Sequence, residues 1–533
     1  MSFRLSNLRL GLAEPEAALE AAITRLLGAP PAHWRILRKS LDARDKDDLH
    51  FVYSVEAAIL DPGLIEKLSR RPRRGDIRIE PFTATPFALP APGDKPLRER
   101  PIVIGSGPGG LAAAYFLAEA GYRPLVLERG CAVSQRIRDV RRFDEGGDFD
   151  PESNYLFGEG GAGTFSDGKL TCRSSGPDVQ RILQLFADCK GKPSVVYEHR
   201  PHLGSNRLPA VVKALRQKIE TLGGELRFSC RVEDLDIVDG EVRGVATSSG
   251  YEATSVVVLA IGHSARDTFA MLARRGVPMV QKAFQLGVRI EQPQEVVNRV
   301  QYGPKRLEEQ LGSADYTLIA HGKQHDLFTF CMCAGGHVIP SVSQPGYFCT
   351  NGMSLSDRSS PFANSGLVVT IEPEHFGSSD VLAGVRLQEV YERLAFELGR
   401  GEYACPIQRA RDFLDERSSS ELPASSYPRG LVLARMEELV PALVASTLRQ
   451  GLPILDRRWN GRFLAEATLV GPEARGSSPV RIVRDNATRA SPGIVGLYPV
   501  GEGAGHAGGI VSAAVDGLRT AKSIMAAFAP LEG

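Results

Sequence analysis

Residues 101–129, PIVIGSGPGGLAAAYFLAEAGYRPLVLER, carry the pattern that decides the fold. Ile102, Val103 and Ile104 form a short apolar strand, and Gly105, Gly107 and Gly110 follow with Gly-x-Gly-x-x-Gly spacing. Glycine at these places lets backbone approach a pyrophosphate and lets a helix pack closely on the strand. Residues 111–120 are strong helix formers, so the unpaired N–H groups and positive dipole end of that helix face the phosphates. Gly121 closes the helix, Leu125, Val126 and Leu127 give the next strand, and Glu128 ends it, where a carboxylate accepts hydrogen bonds from ribose hydroxyls. An acid there disfavours a 2′-phosphate, so FAD or NAD fits better than NADP. A glycine-rich turn of purely structural use would not need strand, helix and acid in register.

The remaining composition narrows the class. With 533 residues, 43% of them hydrophobic, the chain has material for two or three globular domains. Its 64 basic and 63 acidic residues leave a net charge of +1, which gives no general attraction to nucleic acid or anionic membrane and makes a small-molecule substrate the expected partner. The start, MSFRLSNLRLG, lacks an apolar stretch of signal-peptide length, and the apolar run at residues 256–261 is too short to span a bilayer; a cytoplasmic protein with no membrane partner is expected. Cys131, Cys172, Cys189, Cys230 and Cys405 are scattered without ligand spacing, and Cys331-Met332-Cys333 is not Cys-x-x-Cys, so reduced thiols and no metal are expected.

Along the chain the expected fold class is α/β: a Rossmann-like three-layer nucleotide domain, an inserted α+β substrate domain and a small N-terminal α+β module. Residues 1–80 form the module, with strands suggested by Phe3, Leu5, Leu8 and Leu10, interrupted at Ser6-Asn7, and by the alternation of Leu49, Phe51, Tyr53 and Val55. Pro86, Pro90, Pro92 and Pro96 mark a stiff connector over residues 81–100, preceded by the basic run at 70–74, which reads as solvated surface or, as a minority reading, an RNA or acidic-partner contact. The nucleotide domain occupies residues 101–269 and 466–533, and the substrate domain residues 270–465. The run at 256–261 ending in Gly262 reads as a buried parallel strand arriving at a ligand, and Asp239-Gly240 as a hairpin turn.

A second glycine-rich junction, residues 501–509 (GEGAGHAGG), precedes an Ala-rich helix over residues 510–527. Two such junctions at the two ends of the chain suit one long cofactor, which favours FAD over NAD. Gly501-Glu502 and Gly509-Ile510 resemble the elements with which flavoproteins of the glutathione-reductase structural type bind the ribityl chain and aim a helix start at the flavin pyrimidine. A positive helix end there stabilises negative charge on reduced flavin. A third cluster, residues 158–169 (GEGGAGTFSDGK), suits a loop passing close to pyrophosphate and isoalloxazine, with Gly161, Thr164 and Lys169 as candidate contacts. His506 is the candidate acid or base, because its ordinary pKa near 6.5 suits proton exchange; a hydrogen bond to structure is the alternative. His263, Arg266 and His337 are further candidates for the pocket, with helix-start packing or a turn as their plainer uses.

With RKSLDARDKDDLHFVYSV, GEGGAGTFSDGKLT, VLAIGHSARDT, TNGMSLSDRSSPFANSGLVVTI, SSPVRI and YPVGEGAGHAGGIVSAAVDG, the chain resembles the largely uncharacterised FAD-dependent dehydrogenases with a single nucleotide domain. The resemblance implies FAD held by Gly105, Gly107, Gly110, Glu128 and Arg129, with Val232 touching adenine through its backbone and Gly262, Glu502 and Ile510 nearby. Ala334 and Gly476 depart from the proline and threonine of the family pattern, in segments on the substrate side. The implied activity is hydride transfer between a small molecule and flavin N5. No second Gly-x-Gly-x-x-Gly follows a strand, so NAD(P)H is expected to dock transiently if at all. The alternatives are a flavin-containing protein acting with RNA, against which the near-neutral charge argues, and a protein electron-transfer partner.

Overall fold

The computed structural model describes residues 1–70, 73–74, 76–304 and 307–531. Five short parallel strands make the nucleotide-domain sheet, in the order Leu497–Pro499, Val257–Leu259, Ile102–Ile104, Leu125–Leu127 and Glu225–Arg227. Because successive side chains of a strand face opposite ways, each strand feeds two cores. Val103, Val126 and Val258 meet the helices Pro108–Glu119, Leu208–Thr221 and Ile510–Ala527. Ile102, Leu127 and Leu259 meet a three-stranded meander, Val232–Val238, Glu241–Thr247 and Gly250–Ala253, and the helix Arg266–Arg274. The result is the expected three-layer α/β domain. The meander's first turn uses Asp239 and Gly240 at φ of 52° and 75°, the left-handed pair that suits a tight hairpin.

A seven-stranded sheet forms the second domain, in the order Ile319–Ala320, Leu327–Cys333, Phe362–Ile371, Phe284–Pro293, Thr468–Glu473, Cys405–Arg409 and Leu431–Leu433. The strand Thr468–Glu473 lies inside this sheet, pairing with Phe284–Pro293 and Cys405–Arg409. The boundary at 465 read from sequence therefore falls short, since the sheet continues through Glu473. On the central strand Phe284, Leu286, Val288 and Ile290 pack with Val444, Leu448, Leu452 and Leu455 of the helix Ala442–Arg458. The alternate positions place Gln285, Arg289 and Glu291 on the opposite face.

The N-terminal module is an antiparallel sheet, His33–Asp42, His50–Ala58, Ser2–Gly11, Ile77–Pro81 and the short Arg73–Arg74, with helices Ala18–Leu27 and Pro62–Arg70. The Ser6-Asn7 interruption is a bulge: pairing slips between Ser6 and Leu8, and Asn7 takes φ 72°. That extra residue lets Phe3 and Leu5 before it and Leu8 and Leu10 after it all reach one core. Of the basic run, Arg71 and Pro72 lie outside the described residues. The module's edge strand joins the main body where Lys39 N–H donates to Tyr197 O and His199 N–H to Lys39 O, each at 2.8 Å. The proline-rich connector straps the last helix through Gly93 N–H to Met525 O, 2.8 Å. No helix among the described residues is long and apolar enough to cross a membrane.

Candidate active site

The first glycine loop is built for close approach. A Cβ at Gly110 would lie 2.0 Å from Gly105 O, and one at Gly105, already at φ 97°, would lie 2.5 Å from Ala260 O. At Gly107 a Cβ would meet no protein atom within 4 Å, so the loop opens there. Gly107 also caps the helix Pro108–Glu119, whose first turn has no side-chain cap. Open space before an uncapped helix start is what a pyrophosphate requires.

Glu128 is more engaged than its position at the strand end suggests. One oxygen accepts from Ser106 N–H at 2.9 Å and Ser106 Oγ at 2.6 Å. The other accepts from Gly130 N–H at 2.9 Å and Gly158 N–H at 3.0 Å. Four donors fill the roughly four acceptor sites of a carboxylate. Glu128 therefore knots the first glycine loop to the start of the third cluster. Neighbouring Arg129 bonds Glu152 and Asp267 and covers the Phe157 ring. Val232 begins a strand just beyond Cys230, whose N–H donates to Glu128 O at 2.9 Å.

The third cluster contains a 3-10 helix, Gly161–Phe165, wedged between two helix starts. A Cβ at Gly161 would stand 3.1 Å from Gly107 Cα, and one at Gly163 would stand 3.3 Å from Pro108 Cγ and 3.5 Å from Ile510 Cγ1. Thr164 spends its buried hydroxyl on Glu159 O at 2.9 Å. The C-terminal junction joins them: Gly509, at φ 110° and without a side-chain cap, opens the helix Ile510–Ala527, and a Cβ at Gly503 would lie 2.3 Å from Gly262 O. Gly501 N–H donates to Asp516 at 2.8 Å, and Glu502 faces Gly509 N–H at 3.4 Å. The structure thus gathers Gly105, Gly107, Gly110, Glu128, Gly161, Gly262, Gly501, Glu502, Gly509 and Ile510 along one seam. His506 turns aside, since its Nε2 donates to Ile482 O at 2.9 Å and burial holds its pKa down. A ring spent on a backbone carbonyl is poorly placed to exchange protons with substrate.

Burial pushes Glu502 up to about 7. An acid raised in the fold from 4.5 stabilises the fold fully below 4.5 and loses that contribution as pH rises through 7. Apoprotein is expected to lose stability between about pH 5 and about pH 8, and Glu502→Gln to flatten the slope. Urea melts of both proteins across that range check this; parallel slopes would contradict it.

Lys169 leaves the seam and lies beside the seven-stranded sheet, near Cys331 and Cys333. Its Nζ lies 3.1 Å from Asp167 Oδ2, and Asp167 Oδ1 accepts from the Ser354 hydroxyl. His202 Nε2 stands 3.3 Å from Ser354 Oγ and 3.5 Å from Asp167 Oδ1. Close by, buried Arg289 donates to Glu473 at 3.0 Å, Asn364 at 2.7 Å, Asn351 at 3.1 Å and Cys331 O at 3.3 Å. Cys331 takes φ 46° where the strand pairing slips between Phe330 and Cys333. Sequence reasoning passed over Asp167, His202, Ser354, Arg289 and Glu473; an arginine inside the apolar run Val288-Arg289-Ile290 was the available signal. Arg266, the first residue of its helix, bonds Glu392, as does Arg475, so its role is to join the two domains. His263 beside them is held down at about 4 by burial and by the two arginines. Among the described residues no group of three or more His, Cys, Asp or Glu side chains could hold a metal ion.

These features define a flavin enzyme. A family model described as "FAD-dependent protein, C-terminal domain-like" matches residues 283–476, "FAD dependent oxidoreductase" matches residues 201–323, and "NAD(P)-binding Rossmann-like domain" matches residues 103–164. Residues 2–58 match a domain of unknown function. The chain belongs to the FAD-dependent oxidoreductase family, and FAD is its cofactor. It is 39% identical over 535 residues, 99% of each chain, to a Clostridium beijerinckii (strain ATCC 51743 / NCIMB 8052) protein described as "Uncharacterized protein". It is 28% identical over 155 residues to thiamine thiazole synthase of Aeropyrum pernix, covering 29% of this chain and 45% of that one. Among solved structures it is similar to L-proline dehydrogenase from P. horikoshii, at 13% identity and a TM-score of 0.32 over 81% of this chain and 93% of that one.

Proposed function

We propose that the protein moves a hydride between a small-molecule substrate and flavin N5, in a nucleotide domain of the glutathione-reductase structural type. The observation that carries this reading is the seating of one 3-10 helix, Gly161–Phe165, against two uncapped helix starts, Pro108 and Ile510. Two such starts suit the two ends of a long dinucleotide: Gly105, Gly107 and Gly110 would hold the pyrophosphate, Glu502 the ribityl chain, and Ile510 the pyrimidine edge. The Ser106 hydroxyl is the one donor on Glu128 that can rotate away, so a ribose hydroxyl would take its place there. Arg129 and Val232 would border the adenosine, and Gly262 and Gly501 would keep the backbone low beneath the ribityl chain. When bound, FAD supplies a two-electron acceptor at N5. The protein's part is to orient the substrate, to exclude water and to set a positive helix end where negative charge develops. A transient visit by NAD(P)H and a cytoplasmic location complete the proposal.

The visible spectrum of the purified protein, repeated anaerobically with NADH, NADPH, hydroxy acids, amines and unsaturated acids, tests the reading. Flavin bands that bleach with one compound support hydride transfer and name its donor. Bleaching by a reduced protein donor alone would replace the small-molecule reading with electron transfer between proteins.

A further inference from the structure

Two cations lie where the third glycine cluster meets the polar face of the seven-stranded sheet, and they differ in what they have left to offer. Arg289 is fully buried and commits four donors, to Glu473, Asn364, Asn351 and Cys331 O. A guanidinium has about five N–H donors, so Arg289 is a fixed strut that orients the two amides. Lys169 has three donors and meets one carboxylate, Asp167, among the described residues. Its side chain keeps 26% of its exposure while Asp167 keeps 2%.

The acids beside these two cations already face partners. Asp167 faces Lys169, Ser354 and His202, while Glu473 faces Arg289. Burial lowers His202 below its ordinary value, so it adds no second positive charge at neutral pH. Lys169 stays charged: burial works to lower it, but Asp167 carries it above its ordinary value. Cys331, Cys333 and Asp315 are its other electrostatic neighbours; both thiols lie above their ordinary value, Cys333 through its burial, and stay neutral, and Asp315 is engaged by Arg200 at 2.6 Å. A partly exposed ammonium with spare donors, whose neighbouring acids already face cations or donors, favours an anionic oxygen over an amine cation.

We infer that Lys169 anchors the carboxylate of the substrate, so that the enzyme acts on carboxylic acids such as hydroxy or unsaturated acids and not on simple amines. Asp167, held by Ser354 and His202, is the positioning residue that fixes the Lys169 ammonium. The loop that carries Lys169 runs on directly from Phe165, the end of the 3-10 helix that touches both helix starts, which brings the anchored acid beside the proposed flavin site. This inference rests on the proposed function.

Titration of the flavin-bearing protein with benzoate and acetate, followed by the visible spectrum, tests it, with benzylamine as the contrasting cation. Wild type is expected to show a saturable spectral shift with the carboxylates that weakens as salt is raised, and none with benzylamine. Lys169→Met should weaken carboxylate binding by about tenfold to a hundredfold with flavin content unchanged, and Lys169→Arg should restore most of it. Should Lys169→Met lose its flavin, the rise in melting temperature with benzoate gives the same comparison on the apoprotein. Equal carboxylate affinity in Lys169→Met and wild type, or a flavin-bearing wild type that ignores both carboxylates, overturns the inference while leaving the oxidoreductase reading intact. Bound flavin that no small-molecule reductant bleaches overturns the proposed function, and the inference falls with it.

Discussion

Glu128→Ala is expected to purify with most of its flavin lost and with a markedly lower melting temperature. The alanine would strand three buried backbone donors, Ser106, Gly130 and Gly158 N–H, that now converge on the carboxylate. A buried donor left without a partner costs about 1–3 kcal/mol, so the loss comes to about 3 kcal/mol or more before any cofactor contact is counted. Glu128→Gln separates two roles of the side chain. Its amide NH2 would face two N–H donors on the Gly130 and Gly158 side and one, Ser106 N–H, on the other, so at least one buried donor loses its acceptor either way and an organising carboxylate cannot be replaced by the isosteric amide. A carboxylate that served only to accept a ribose hydroxyl could be. Flavin absorbance per protein together with thermal melts decides the matter: a Gln variant with full flavin and an unchanged melting temperature would sink the organising role.

The nucleotide half of the site was legible because its demands are local. Room at Gly105 and Gly110, a helix start at Pro108 and an acid at Glu128 all follow within a few turns of chain, and each restricts the residue types allowed. The same holds for Gly509 and the helix Ile510–Ala527, which runs over the residues expected from the sequence. What the local pattern hid was the saturation of Glu128, because Gly158 N–H arrives from 30 residues away along an irregular loop. The polar cluster around Arg289 and Asp167 was illegible for the same reason on a larger scale. Arg289 meets Glu473 across 184 residues, and Ser354 meets Asp167 across 187, through a strand register that only the folded sheet fixes. A lone charge in an apolar strand signals that a partner must exist without saying which one. The boundary at 465 failed likewise: residues 468–473 carry no mark that distinguishes the last strand of one domain from the first of the next.

Glu392 provides the other large effect. Its carboxylate receives both guanidinium forks, Arg266 at 2.7 and 3.0 Å and Arg475 at 2.7 and 2.9 Å, with none of the three side chains more than 4% exposed. Arg266 belongs to the nucleotide domain, Glu392 to the helix Ala383–Leu398 and Arg475 to the segment two residues past the strand Thr468–Glu473, so one acid ties the two domains together. Removing it leaves two buried cations facing each other, and Glu392→Ala is expected to cost about 3–5 kcal/mol. Glu392→Gln should recover part of that, since its amide oxygen still accepts from one fork. The pH dependence has a fixed sign. Burial works to raise Glu392, but the two arginines hold it down at about 2 from an ordinary 4.5. A depressed acid stabilises the fold fully above its unfolded value and loses that contribution as pH falls from 4.5 through 2. Wild type should therefore lose stability steeply over that acid range, and Glu392→Gln should lose less, because no proton is taken up at this site on unfolding. Urea denaturation at neutral pH and at about pH 4 measures both. A Glu392→Ala penalty under about 1 kcal/mol would mean the two arginines find other partners or water, and that the interface does not depend on this acid.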